Sequence, residues 1–110
     1  MGPSSYNHGA MSTDERQAAQ GRLNDLLTLL KAAPTQEQQL LSRLIEETEA
    51  LGRAIGAFHL EGIRFRIYNV DRLVTHPAVP LPAEAAEMVA DVRRHLEAAG
   101  FHTRSHQAPS

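Results

Sequence analysis

Histidine is the residue type in this chain best suited to chemistry, because imidazole binds metals and transfers protons near neutral pH. Five histidines follow the first ten residues: His59, His76, His95, His102 and His106. The last three are spaced by seven and four residues. A zinc site, however, needs three or four rigidly held ligands, and the chain has no cysteine to complete one. We therefore expect neither a metal site nor another cofactor.

The arginine-rich segment 63–72 is a second candidate for chemistry. Apolar and polar side chains alternate along it, with Ile63, Phe65 and Ile67 on one side, which is typical of a half-buried β-strand. Arginine contacts phosphates and tyrosine stacks on bases, so its polar face predicts nucleic-acid binding as an alternative function. The residues concerned are Arg64, Arg66, Tyr68 and Arg72. The net charge of −2 for the whole chain favours a solvated face instead.

Carboxylates cluster at Glu46, Glu47 and Glu49. Paired carboxylates could carry out acid–base catalysis if they lay together in a pocket. Arg43 and Arg53 lie four residues from Glu47 and Glu49, respectively, a spacing that predicts salt bridges along an exposed helix face. The chain also lacks a nucleophile elbow and a glycine-rich phosphate loop. A non-enzymatic role is therefore favoured. A further alternative is a small enzyme with a pocket between the strand and the third helix, using His59, His76 or Tyr68.

Two helices with heptad spacing should precede the strand. Apolar residues recur every three or four positions over 13–33 and 35–59, and Pro34 separates the two runs. Ser12 with Glu15, and Thr35 with Gln38, form capping boxes at the two starts. The pattern predicts an antiparallel helical hairpin.

The second half of the chain predicts mixed structure. The segment 63–76 is interpreted as one strand or a β-hairpin, and a third helix should run over 83–99. Gly100 is suited to a left-handed helix cap with Phe101 as its apolar partner, and a short C-terminal strand should follow at 101–104. The predicted fold class is α+β.

The 110 residues fit one domain. We interpret residues 1–10 as a disordered remnant of an expression tag, 11–104 as a single α+β domain and 105–110 as a disordered tail. The absence of cysteine fits a reducing compartment, and no segment approaches the length of a membrane span. We expect a cytoplasmic protein that does not contact membranes.

The heptad stripes carry the main functional hypothesis, because a helical hairpin can complete a four-helix bundle by dimerising. We expect a protein-interaction or regulatory module that forms a homodimer and binds a further protein partner. The residues predicted to self-associate are Leu41, Leu44, Leu51, Ile55 and Phe58, with Leu23, Leu26 and Leu30 as their partners in the hairpin. The sequence leaves open whether these stripes form an intramolecular core or an interface.

Overall fold

The computed structural model of this protein describes residues 7–33 and 37–101, with side chains from residue 14 onward. This part of the chain forms four helices: α1 (Asn7–Lys31), α2 (Gln38–Gly56), α3 (Leu60–Val74) and α4 (Ala83–Ala98). No residue in the described ranges belongs to a strand. The predicted α+β class is therefore wrong, and the protein is an all-α four-helix bundle.

The error lies in the segment 63–76, predicted as a strand or β-hairpin, which forms α3. The buried residues of α3 are spaced four, three and four apart, as on one face of a helix: Ile63, Ile67, Val70 and Val74. Ile63 and Ile67 fit both a period of two and a helical period. Phe65 distinguishes the two periods. A strand would bury Phe65 beside these isoleucines, whereas its side chain is 47% exposed.

The helices predicted over 13–33, 35–59 and 83–99 correspond to α1, α2 and α4. Their ends differ from the predictions, since α1 begins at Asn7, within the segment interpreted as a tag remnant, and the start predicted from Ser12 is wrong. The N-cap of α2 is Glu37. Phe101 is not in a strand. The predicted cap at Thr35, the remaining strand residues 102–104 and the tail 105–110 lie outside the described residues.

Ion pairs and hydrogen bonds between helices define an up-down-up-down arrangement. Gln20 of α1 donates to the Gly52 carbonyl of α2 at 3.2 Å, and Arg16 reaches the Gly56 carbonyl, so these helices run antiparallel. The α1–α4 and α2–α3 pairs are antiparallel too, and they pack most extensively. The predicted α1–α2 hairpin is present, but α1 packs more extensively on α4 and α2 packs more extensively on α3.

The core is aliphatic, and the heptad stripes of α1 and α2 supply half of it. Thr48, the one polar residue in the second stripe, is fully buried, and its hydroxyl donates to the Leu44 carbonyl at 2.7 Å. Full burial of each leucine or isoleucine contributes about 1.5–3 kcal/mol. The helical members of this core are Ala19, Leu23, Leu26, Leu30, Leu41, Leu44, Leu51, Ile55, Ile63, Ile67, Val70, Val74, Ala85, Val89, Val92 and Leu96.

Gly62 allows α3 to approach α2 closely at the turn between them. A methyl group added there would lie 2.5 Å from Nδ1 of His59 and 3.3 Å from Cβ of Ala54. His59 is the N-cap of α3, and its Nδ1 accepts a hydrogen bond from the Gly62 N–H at 3.0 Å. Glycine at this position therefore permits both the cap and the contact between the helices.

Candidate interaction surface

Four of the five residues predicted to self-associate lie in the core of the single chain. They are Leu41, Leu44, Leu51 and Ile55, and none is more than 6% exposed. Their hairpin partners Leu23, Leu26 and Leu30 are also buried. The heptad stripes thus belong to an intramolecular core, in which α3 and α4 of the same chain cover them. Phe58 differs from the other four, because its side chain is 55% exposed.

The four residues predicted to bind nucleic acid lie on α3 rather than on a strand. Arg64 pairs with Glu61 on its own helix, whereas Arg66 donates to both carboxylate oxygens of Glu47 on α2 at 2.9 Å. Arg72 stacks over the Tyr68 ring at 5.7 Å. Arg64 and Arg66 therefore point to different sides of α3, and the arginines form no single basic face. Nucleic-acid binding stays a prediction.

The histidines considered for catalysis have local structural roles. His59 caps α3 as described, and Nδ1 of His76 accepts a hydrogen bond from the Ala78 N–H at 3.0 Å. The strand beside which a pocket was predicted is the helix α3, and the small-enzyme alternative stays a prediction. Within residues 14–33 and 37–101, no three His, Cys, Asp or Glu side chains form a group able to hold a metal ion.

The three most exposed large apolar side chains of the described residues lie within eight positions, at and just after the α2–α3 turn. They are Phe58, Leu60 and Phe65, with 55%, 50% and 47% of their surface exposed. Large apolar residues concentrated at one place on a surface are typical of a contact with another molecule. We call these three residues the exposed apolar set.

Phe58 has a backbone conformation that favours glycine. Its φ is +57°, and it is the only non-glycine residue of the described chain with a positive φ. The Phe58 N–H donates to the Ile55 carbonyl at 3.2 Å, and the His59 N–H donates to the Ala54 carbonyl at 3.0 Å. These two bonds form a Schellman motif, in which glycine usually occupies the position of Phe58. The left-handed region costs other residues about 1–2 kcal/mol.

The Phe58 ring is held at the surface by two neighbours. The Arg16 guanidinium lies 3.9 Å from the ring centroid, and the Phe101 ring lies 6.1 Å away at an interplanar angle of 39°. Arg16 also donates to the Ile55 and Gly56 carbonyls, each at 3.4 Å. The ring is therefore exposed yet fixed in orientation, as a pre-organised contact residue would be.

An open groove of about 660 Å³ runs between α2 and α3 beside the turn. Small side chains line its α2 side, and Phe65 with Arg66 lines its α3 side. The α2 residues are Ala50, Arg53 and Ala54, followed by the C-cap Ala57, and the turn adds His59. The groove is shallow and mostly apolar, with Arg53 exposed at its edge.

A second stripe with helical spacing runs along α2 opposite the core. It consists of Glu46, Ala50, Arg53 and Ala57, spaced four, three and four apart. We call it the outer stripe of α2. The stripe is hard to find in the sequence, because small residues carry a weak apolar signal, although the spacing repeats that of the buried stripe.

The salt bridges predicted within α2 are wrong. Glu47 pairs with Arg66 of α3 at 2.9 Å, and Glu49 pairs with Lys31 of α1 at 3.6 Å. Throughout the described ranges, Glu46 and Arg53 have neither an ion pair nor a side-chain hydrogen bond. The outer stripe therefore presents one uncompensated acid and one uncompensated base.

The contact between α1 and α4 carries the other main group of charges. Arg22 donates to the Asp91 carboxylate at 3.0 Å, and Nδ1 of His95 lies 2.7 Å from Oε1 of Glu15. Hydrogen bonds from Arg22 and Arg94 lower the pKa of Asp91 below its usual value, against a weaker opposing effect of burial. This polar contact fixes the register of α4 on α1.

Comparisons with known proteins add no assignment to this geometry. No family model, curated protein or solved structure matches the chain. In the part of the chain that the structure describes, no helix is both long and apolar enough to cross a membrane. Functional inference therefore depends on the surface itself.

Proposed function

We propose that this protein is a non-enzymatic interaction module that self-associates through the surface around the α2–α3 turn. The observation that carries the proposal is Phe58, a large aromatic residue that is half exposed on a left-handed backbone. A chain selected only for a stable monomer would have glycine here, because glycine adopts this conformation without strain. The strain is offset if the ring is buried by a second molecule, since aromatic residues commonly anchor interfaces.

The proposal changes the surface expected from the heptad pattern. Leu41, Leu44, Leu51 and Ile55 are not accessible to a second chain unless the bundle opens. Of the five predicted residues, only Phe58 remains available. Leu60 and Phe65 take the place of the buried four, because they are exposed and follow Phe58 at the start of α3.

Sedimentation of the wild-type protein at micromolar concentration tests self-association directly. We expect a mass of about twice the 12.1 kDa of one chain. Phe58→Gly should give the single-chain mass while keeping the helical circular dichroism and a melting temperature equal to or above that of the wild type. The substitution removes the ring and relieves the backbone strain together, so binding and stability should change in opposite directions.

Two control variants separate the ring from the backbone. Phe58→Asn tolerates the left-handed conformation but lacks the ring, so it should sediment like Phe58→Gly. Phe58→Tyr keeps an aromatic ring and should associate like the wild type. A wild-type protein that sediments at 12.1 kDa would contradict self-association. Equal association of Phe58→Gly and wild type would exclude Phe58 from the interface.

A further inference from the structure

We infer that two copies of the chain pair antiparallel along the outer stripe of α2, with Glu46 of each copy facing Arg53 of the other. This inference rests on the proposed self-association, and it identifies the molecule that covers the α2–α3 groove as a second copy of this chain. It goes further by fixing the pairing helix, its direction and its register.

The charges of the outer stripe are complementary to themselves in one direction only. Glu46 and Arg53 are both exposed, both unpaired within the described chain, and separated by seven residues, or about 10 Å along the helix. Two antiparallel copies related by a two-fold axis place each glutamate opposite an arginine. Two parallel copies in register would place like charges together, which is unfavourable.

The residues between the charges are small enough for two helices to approach. Ala50 lies midway between Glu46 and Arg53, and Ala57 follows one turn after Arg53. Small residues at a contact allow backbones to come close, whereas larger ones would hold them apart. The proposed two-fold axis passes near Ala50.

Phe65 lies where it can cover this contact. The Arg66–Glu47 ion pair fixes α3 against α2, and Phe65 and Ala50 line the same groove between these helices. A second α2 placed on the outer stripe therefore meets the half-exposed Phe65 ring next to the proposed axis. The contact thus has an apolar centre flanked by two symmetric ion pairs, the usual arrangement of a stable interface.

Charge exchange tests the pairing. The variants are Glu46→Arg, Arg53→Glu and the double variant, and sedimentation equilibrium measures the dissociation constant of each. Each single variant places two pairs of like charges at the interface, so the dimer should weaken by roughly tenfold or more. The double variant restores both pairs and should dimerise like the wild type.

Mixing the two single variants gives the decisive measurement. A Glu46→Arg chain presents two arginines and an Arg53→Glu chain presents two glutamates, so an equimolar mixture should form a heterodimer more tightly than either variant forms a homodimer. Glu87→Arg is the matched control, since Glu87 is an exposed glutamate of α4 outside the surface. It should associate like the wild type, and circular dichroism should show unchanged helix content in every variant.

The outcomes separate this inference from the proposed function. A dimeric wild type whose single variants associate equally well overturns the antiparallel pairing but leaves self-association intact. Single variants that weaken the dimer without recovery in the mixture also overturn it. A monomeric wild type overturns both the proposed function and this inference.

Discussion

The C-terminal ends of α2 and α4 have the same backbone structure but different residues. Both end in a Schellman motif, with matching pairs of hydrogen bonds. In α4 the left-handed position is Gly100, with φ of +102°, and the next residue, Phe101, is buried. In α2 the left-handed position is Phe58, and the next residue, His59, is exposed.

The difference separates a helix end built for stability from one that, under the proposed function, carries a contact residue. At the end of α4, glycine avoids strain and the aromatic residue packs into the core. At the end of α2, the aromatic residue occupies the strained position and its ring is left half exposed. Departures from local preference of this kind concentrate at functional sites.

Removing the aromatic residue that follows the α4 motif should have the largest effect on stability. Phe101→Ala deletes a buried ring and should lower the free energy of unfolding by about 3 kcal/mol. The equivalent change in α2, His59→Ala, removes only the α3 cap and should cost about 1 kcal/mol. Urea denaturation of both variants measures the contrast, and equal losses would refute it.

Substitution of the glycine in the α4 motif should have an intermediate effect. A Cβ at Gly100 meets no atom within 4 Å, so Gly100→Ala tests backbone strain without a steric clash. We expect a loss of about 1 kcal/mol, measured by thermal denaturation, with no change in sedimentation. If Gly100→Ala is as stable as the wild type, the strain assigned to Phe58 is also in doubt.

Acidification should have the smallest effect on stability, and it should weaken the contact of α4 with α1 but not the end of α2. The Asp91 carboxylate ties α4 to Arg22 of α1, whereas Arg16 and Gln20 hold the end of α2 through backbone carbonyls that do not titrate. The folded-state pKa of Asp91 is lowered, so its stabilising contribution is present at neutral pH and is lost as pH falls below about 4. The effect is small because the pair is partly exposed and screened by solvent.

Asp91→Asn checks this pH dependence. The variant should be less stable than the wild type at neutral pH, and the difference in stability should narrow steadily as pH falls below about 4. Urea midpoints measured over a series of acidic pH values supply the measurement. A difference in stability that does not change as pH falls would show that Asp91 stabilises the bundle by packing rather than by charge.

Much of the helical structure could be predicted, because heptad spacing in α1 and α2 is a strong signal. The prediction of Gly100 as a left-handed cap with Phe101 as its packed partner is confirmed. The α3 helix was missed because Ile63 and Ile67 satisfy both periods and β-branched residues favour strands. Val70 and Val74 fit the helical period but not the period of two. The helical pattern therefore becomes visible only over the whole span from Ile63 to Val74.

The candidate surface was less predictable, because it depends on which apolar residues the fold leaves outside. The sequence placed Phe58 in the same stripe as Leu51 and Ile55, and only the helix end after Gly56 separates it from them. Glu47 and Glu49 have plausible partners on their own helix, yet they pair with α3 and α1. Those long-range ion pairs leave Arg53 unpaired, and no local sequence pattern predicts which partner each glutamate takes.

Gly62 limits how far this sequence can be redesigned. The outer stripe of α2 tolerates rewriting, since its side chains point away from the core. Position 62 does not, because any side chain there collides with the imidazole that caps α3 and presses on Ala54. The residues that fit at positions 54, 59 and 62 therefore depend on one another. A designer who enlarges the residue at 54 or replaces the histidine must solve all three positions together.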